Sequence, residues 1–332
     1  MKRMGAAALA LAALFAVLVR ASPRPTALYY RRRFDRNGVR RSLVAATFVP
    51  DGVTTLRDVV YSPGDHDALL DVHRPPAGQG TGPTIVWVHG GAWLSGNKDH
   101  IANFLRVLAA GGSTVIGVGY SIAPEARYPT PVRQVLDALG YLTAHAEALG
   151  VDPSRLVLAG DSAGAQIAAQ VAGMITNPEY ASSMQMRPTV DPAQLVGTVL
   201  FCGAFDMSLI RPLRGSTRWF VDSIMWAFTG TSHYLDDPRF AGLSVASHVT
   251  ADFPPTFLAC GADDPMIAHQ YVMADALETA GVRHETHVAP DAGHQYQFDL
   301  ATPAAHDAIT AVHAFVATLR PAPPRATPAI TR

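Results

Sequence analysis

A serine in a glycine-rich turn limits the possible folds of this 332-residue chain more than any other sequence feature. The turn is the pentapeptide GDSAG at 160–164, with Ser162 at its centre. The apolar run 155–159 before it has the length of a strand, and Ala165–Val171 after it consists of good helix formers. A tight turn between strand and helix lifts the hydroxyl clear of the backbone, and the glycines let both elements pack closely. The pattern therefore predicts a nucleophile at Ser162.

The rest of the chain alternates between short apolar runs and helical patterns. Thr54–Tyr61 and Leu69–Arg74, joined by a Ser-Pro-Gly-Asp turn, predict an antiparallel hairpin. Further strands are predicted at Thr84–Val88, Ser113–Val118, Leu156–Ala159, Val196–Cys202, Thr256–Cys260 and His284–Val288. Helices are predicted at Ile101–Ala110, Val132–Leu149, Tyr271–Ala280 and Ala305–Leu319. This alternation predicts an α/β fold, with a mostly parallel sheet and helices on both faces.

The α/β domain is expected to span residues 54–320, with one large insertion at about 206–250. That insertion carries the large apolar residues Trp219, Phe220, Met225, Trp226 and Phe228. Because a bare loop of this length and hydrophobicity is uncommon, we expect a small helical cap over the ligand-binding end of the sheet. Residues 321–332 form a Pro-rich tail.

The N-terminus combines an apolar segment with a basic one. Gly5–Val19 holds fifteen residues without a charge, the length of a signal-peptide core, whereas a spanning helix needs about 20 residues. Residues 1–21 are therefore interpreted as either an export signal or an N-terminal membrane anchor, which predicts a membrane-anchored or exported protein of the cell envelope or extracellular space. Residues 22–53 are a basic segment that could contribute to the cap.

Residues 1–41 hold ten lysines and arginines and a single acid, Asp35, although the net charge of the chain is −1. No stacking platform or binding motif for nucleic acid accompanies this positive charge, so a membrane surface is the favoured partner. Cys202 and Cys260 are too few for a disulfide framework and are predicted to be buried free thiols. The sequence leaves the oligomeric state open.

Two segments of the sequence are predicted to supply N–H donors to an oxyanion. The sequence His-Gly-Gly-Ala-Trp at 89–93 follows a buried strand directly. Its glycines would let the N–H groups of Gly90 and Gly91 face a substrate without obstruction. The N–H of Ala163, at the start of the helix after the serine, is the third predicted donor.

The acid and the base are expected at the ends of later strands. Asp263 and Asp264 both follow Thr256–Cys260, and Asp264 is favoured because it directly precedes a proline. His284 and His287 lie within a strand, whereas His294 lies in the loop beyond it and could reach the serine. The predicted triad is thus Ser162, Asp264 and His294. Its chemistry is acyl transfer through an acyl-enzyme, which calls for no metal and no organic cofactor.

These motifs resemble those of α/β-hydrolase fold esterases, in the hormone-sensitive-lipase-like and bacterial carboxylesterase families. The resemblance covers about residues 54–317. It rests on HGGAW at 89–93, YSIAP at 120–124, Tyr128-Pro129, GDSAG at 160–164, Asp264-Pro265 and Gly293-His294. It implies a serine carboxylesterase acting on a small ester, with the same triad and oxyanion donors.

Two departures from the family pattern leave the substrate open. Ala92 replaces the third glycine of an HGGG motif, and Gln295 follows His294 where the lipase-like family often has glycine. Acyl chain length and the alcohol are not predicted. A formamidase, amidase or peptidase on the same fold is the alternative enzyme, and a non-catalytic ligand-binding homologue is the alternative of another class.

Overall fold

The computed structural model describes residues 19–320, and a single mixed sheet of eight strands organises them. The strands are β1 Thr54–Val60, β2 Leu69–Arg74, β3 Thr84–Val88, β4 Val115–Val118, β5 Leu156–Asp161, β6 Leu195–Phe201, β7 Thr256–Gly261 and β8 His284–Ala289. Their order is β1-β2-β4-β3-β5-β6-β7-β8. β1 with β2 and β2 with β4 are antiparallel, and the remaining pairs are parallel. The predicted hairpin and mostly parallel sheet are confirmed.

Helices fill most of the segments between the strands. Their bounds are α1 Arg24–Ala45, α2 Lys98–Ala109, α3 Thr130–Ala144, α4 Ala146–Leu149, α5 Ala163–Thr176, α6 Pro178–Ser183, α7 Gly215–Thr229, α8 Ile267–Thr279 and α9 Pro303–Thr318. The one helix predicted over 132–149 is interrupted at His145, and Gly150 ends α4 with a left-handed φ of 64°. That φ is the conformation for which a C-terminal glycine is favoured.

The strand pattern sends alternate side chains into two separate cores. Val86 and Leu158 point to the face covered by α3, α5 and α8. Trp87 and Val157 point to the opposite face, which α2 and α9 cover. Because both faces of the central strands are buried, these strands are mostly apolar, and the predicted helices on both faces are confirmed.

α1 occupies the basic segment for which the sequence predicted no element. Its inner side packs against the insertion, where the ring of Tyr30 lies 4.6 Å from that of Phe220 in α7. The insertion itself contains a 3₁₀ turn at Met207–Ile210, then α7, then 3₁₀ turns at Pro238–Leu243 and Val245–His248. α1 and α7 together form a helical cover over one end of the sheet.

No helix within residues 19–320 is long and apolar enough to cross a membrane. The segment interpreted as a signal or anchor lies, apart from residues 19–21, outside the described residues. The Pro-rich tail at 321–332 also lies outside them.

Candidate active site

Ser162 lies on a strained turn between β5 and α5. Its φ of 52° and ψ of −119° are unusual for a residue with a side chain. The Ser162 N–H donates to the carbonyl of Phe201 at 2.8 Å, which ties the turn to the end of β6. A Cβ added to Gly160 would lie 2.7 Å from the carbonyl oxygen of Val88, so only glycine allows β3 and the turn to approach this closely.

Two loops bring a histidine and an aspartate to this serine. His294, beyond β8, places Nε2 3.0 Å from Ser162 Oγ. Its Nδ1 lies 2.8 Å from Oδ2 of Asp264, which follows β7. Because an ionised carboxylate can only accept, Nδ1 donates to Asp264 and Nε2 is left to accept the serine proton.

Asp264, and not Asp263, contacts the histidine. Its carboxylate is buried, and Oδ1 accepts the N–H of Met266 at 2.8 Å, which fixes its orientation. The side chain of Asp263 is exposed. Burial alone would raise the pKa of Asp264, but its hydrogen bond with His294 and the nearby imidazolium charge hold that pKa below its usual value.

Two opposing effects act on the pKa of His294. Burial disfavours its charged form, yet the Cys202 sulfur and the Asp264 carboxylate beside it hold the pKa of His294 well above its ordinary value. Both cysteines are buried free thiols, as predicted. Ligand atoms of Cys202, Asp264 and His294 lie within 4.8 Å of one another, a spacing that could hold a metal ion. Both ring nitrogens of His294, however, already form hydrogen bonds, one with Ser162 and one with Asp264.

The predicted oxyanion loop follows β3, but one of its donors is already used. The Gly90 N–H donates to Oδ1 of Asp161 at 3.1 Å, which removes Gly90 from the predicted oxyanion hole. Within the described residues, no hydrogen bond uses the N–H of Gly91 or Ala92. Ala163 heads α5, where first-turn N–H groups lack partners inside the helix. The free donors around the serine are therefore Gly91, Ala92 and Ala163.

The side chain of His89 stabilises this loop by stacking and hydrogen bonding. Its ring stacks on Tyr120 with centroids 4.1 Å apart, and Nδ1 donates to the Gly90 carbonyl at 2.8 Å. The Tyr120 hydroxyl donates in turn to the His89 carbonyl at 2.7 Å. Burial lowers the pKa of His89 to about 4, so the ring stays neutral and acts as a fixed support.

A cavity of about 700 Å³ opens onto the serine. It lies between α1, the oxyanion loop, the insertion and the loops after β7 and β8. Its apolar lining includes Phe34, Met207, Ile210, Leu213, Phe220, Val221, Ile224 and Met225. Asn37 and Arg41 of α1 also line it, so the basic segment that precedes the first strand forms part of the site wall.

Comparison with known proteins places the chain in a family. Residues 85–298 match the model of a family described as alpha/beta hydrolase fold. The chain therefore belongs to the alpha/beta hydrolase fold family, and the resemblance found in the motifs is confirmed.

The relatives with similar sequences are named as esterases. Esterase LipQ of Mycobacterium tuberculosis is 28% identical over 251 residues, which cover 74% of this chain and 57% of LipQ. An acetyl esterase of Salmonella choleraesuis is 28% identical over 204 residues, covering 59% of each chain. The chain thus spans less than two thirds of the length of both relatives. The crystal structure of esterase B from Lactobacillus rhamnosis superposes with a TM-score of 0.75 at 20% identity, covering 89% of this chain and 95% of that one, and supports the fold.

Proposed function

We propose that this chain is a serine hydrolase that cleaves carboxylic esters through an acyl-enzyme on Ser162. The observation that carries the proposal is the hydrogen-bonded series from Ser162 through His294 to Asp264, at 3.0 and 2.8 Å. It places a nucleophile, a base and an orienting carboxylate within reach of one another, as acyl transfer requires. The esterase names of the relatives support the same reaction.

Each proposed step uses a group already in place. Ser162 Oγ attacks the acyl carbonyl while His294 Nε2 accepts its proton. The N–H groups of Gly91, Ala92 and Ala163 bind the oxyanion as it forms, and this stabilisation is usually the largest contribution to the rate. His294 then protonates the leaving alcohol. Water, deprotonated by His294, attacks the acyl-enzyme, releases the acid and restores the serine.

The cavity supports an uncharged ester with an apolar acyl group. Its walls are mostly hydrocarbon from α1 and the insertion, and a volume of about 700 Å³ exceeds what an acetyl group needs. We therefore expect acyl groups of four to eight carbons, roughly, to be cleaved with a higher kcat/KM than acetyl, because each buried CH₂ contributes about 0.8 kcal/mol.

The test is a series of p-nitrophenyl esters with acetyl, butyryl and octanoyl groups, together with the matching anilides. Wild type should turn over the esters, and Ser162→Ala should fall to background. The exposed Ser247→Ala is the matched control and should behave as wild type. Absence of both burst and turnover, with Ser162→Ala indistinguishable from wild type, would favour a non-catalytic binding protein. Faster cleavage of the anilides would make the chain an amidase.

We further propose that the protein is exported or held at a membrane through its N-terminus. The apolar segment Gly5–Val19 supports this, and so does the outer side of α1. That side exposes Leu28, Tyr29 and Leu43 among arginines. The single acid of α1, Asp35, turns inward and accepts hydrogen bonds from the 95–96 loop. Mixed basic and apolar residues on one helix side are typical of binding to an anionic lipid surface.

Sedimentation of the full chain with lipid vesicles tests this proposal. Binding to phosphatidylglycerol vesicles should exceed binding to phosphatidylcholine vesicles. The triple substitution of Arg32, Arg33 and Arg36 by Gln should abolish that excess, because each arginine near an anionic surface contributes about 1 kcal/mol. A matched triple Gln variant at the exposed Arg187, Arg239 and Arg283 should keep it. Absence of binding to either lipid by wild type would contradict the membrane proposal, and equal binding to both would show that the arginines of α1 do not contribute to it.

A further inference from the structure

The buried carboxylate of Asp161 holds together the three loops that carry the proposed reacting groups. Oδ1 accepts the indole N–H of Trp87 at 3.0 Å and the Gly90 N–H at 3.1 Å. Oδ2 accepts the side-chain amide N–H of Gln295 at 2.5 Å. Asp161 directly precedes the serine, Gly90 precedes the oxyanion donors, and Gln295 follows the histidine. One side chain therefore fixes the relative position of all three.

Burial raises the pKa of Asp161, whereas the donors around it act in the opposite direction. Removing one donor from a fully buried carboxylate leaves an oxygen without a partner, which is costly. The loop would then shift or admit water to satisfy that oxygen. Gln295 is the one donor of the three that comes from the loop of the base.

Gln295 adopts a backbone conformation that favours glycine. Its φ is 60° and its ψ is 35°, in the left-handed region. A residue with a side chain is disfavoured in this conformation. This chain therefore has an unfavourable backbone conformation at the residue whose side chain makes the hydrogen bond with Asp161.

Arg41 extends the series of hydrogen bonds to the N-terminal helix. Its Nη1 donates to Oε1 of Gln295 at 3.0 Å. Since Oε1 and the amide nitrogen belong to one planar group, this contact orients the amide so that its N–H points at Asp161. α1 is thereby connected, through Gln295 and Asp161, to the oxyanion loop.

We propose that Gln295 is a positioning residue for the hydrolysis, and that Arg41 acts through it. The proposal rests on the proposed ester hydrolysis. Gln295 touches no reacting atom, and it holds the histidine loop and the oxyanion loop at the correct separation. The interaction matters most when the oxyanion forms, so its loss lowers kcat and leaves KM almost unchanged.

Gln295→Leu keeps the size of the side chain and removes both hydrogen bonds. We expect kcat for p-nitrophenyl butyrate to fall about tenfold, less than the 10²–10³ loss typical of deleting a whole oxyanion donor. Gln297→Leu is the matched control in the same loop, because its buried amide has no partner within the described residues. It should retain kcat. Thermal unfolding of each variant checks that the fold is intact.

A double-mutant cycle tests the connection to α1. Arg41→Ala should lower kcat two- to fivefold in the wild-type background and have no further effect on Gln295→Leu. Arg40→Ala, the neighbouring exposed arginine, should leave kcat unchanged. Additive losses would show that Arg41 acts independently and would overturn its role. Unchanged kcat in a folded Gln295→Leu variant would overturn the proposal, whereas an inactive wild type would refute the ester hydrolysis itself.

Discussion

Gly164→Ala tests how closely the serine turn must approach the oxyanion loop. Gly164 lies in the first turn of α5, pressed against the end of β3. An added Cβ would lie 2.6 Å from the carbonyl carbon of His89, and closer still to the carbonyl oxygens of Val88 and His89. These are backbone atoms held by the pairing of β3 with β5, so no side chain can move aside to make room.

The expected destabilisation follows from two opposing contributions. Overpacking against fixed backbone costs about 3 kcal/mol, at the upper end of the usual range. Alanine gains about 1 kcal/mol over glycine in a helix. The net loss of about 2 kcal/mol should lower the Tm by roughly 4 °C. Separation of the two loops should also move the Ala163 N–H away from Gly91 and lower kcat at least tenfold, because oxyanion donors act only at the correct distance.

Thermal unfolding and p-nitrophenyl butyrate hydrolysis measure the two effects. Gly140→Ala in α3 is the matched control, since its Cβ would meet only the Thr189 side chain, at 3.1 Å and above. Its Tm should stay close to wild type or rise slightly, because alanine is favoured over glycine in a helix, and its kcat should be unchanged. A Gly164→Ala variant with unchanged Tm and kcat, or an equal loss in Gly140→Ala, would refute the reasoning.

Further predictions concern the acid and the base. His294→Ala should lower kcat by several orders of magnitude, while His287→Ala, within β8, should change it little; comparable kcat values would reject the assigned base. Asp264→Asn should lower kcat about 10⁴-fold and the exposed Asp263→Asn only slightly; the reverse ranking would contradict the triad. A protonated His294 cannot accept the serine proton, so kcat/KM should be lost as the pH falls through its raised pKa. That acidic limb should lie above the ordinary histidine value of about 6.5, and a limb below it would contradict the raised pKa.

Local patterns made much of the fold and site predictable. The strands β2 and β3 begin and end where the sequence predicts, because apolar runs bounded by turn residues are short-range features. The positions of Ser162 and His294 follow from the same logic, since residues just past the ends of parallel strands meet at one edge of the sheet. α1 was missed because most of its arginines face solvent and its apolar contacts are made to a distant insertion.

The sequence by itself determined the order of the proposed reacting groups along the chain and the strand-turn-helix that carries the serine. Only the tertiary structure showed that Asp264, and not Asp263, contacts His294. The two residues are adjacent in the sequence, but their side chains point in different directions. It also showed that the Gly90 N–H donates to Asp161, whereas the Ala92 N–H has no hydrogen-bond partner within the described residues. Gly90 and Asp161 are about 70 residues apart in the sequence, so this contact depends on how the chain folds. Hydrogen bonds between distant loops depend on packing, and no local pattern encodes them.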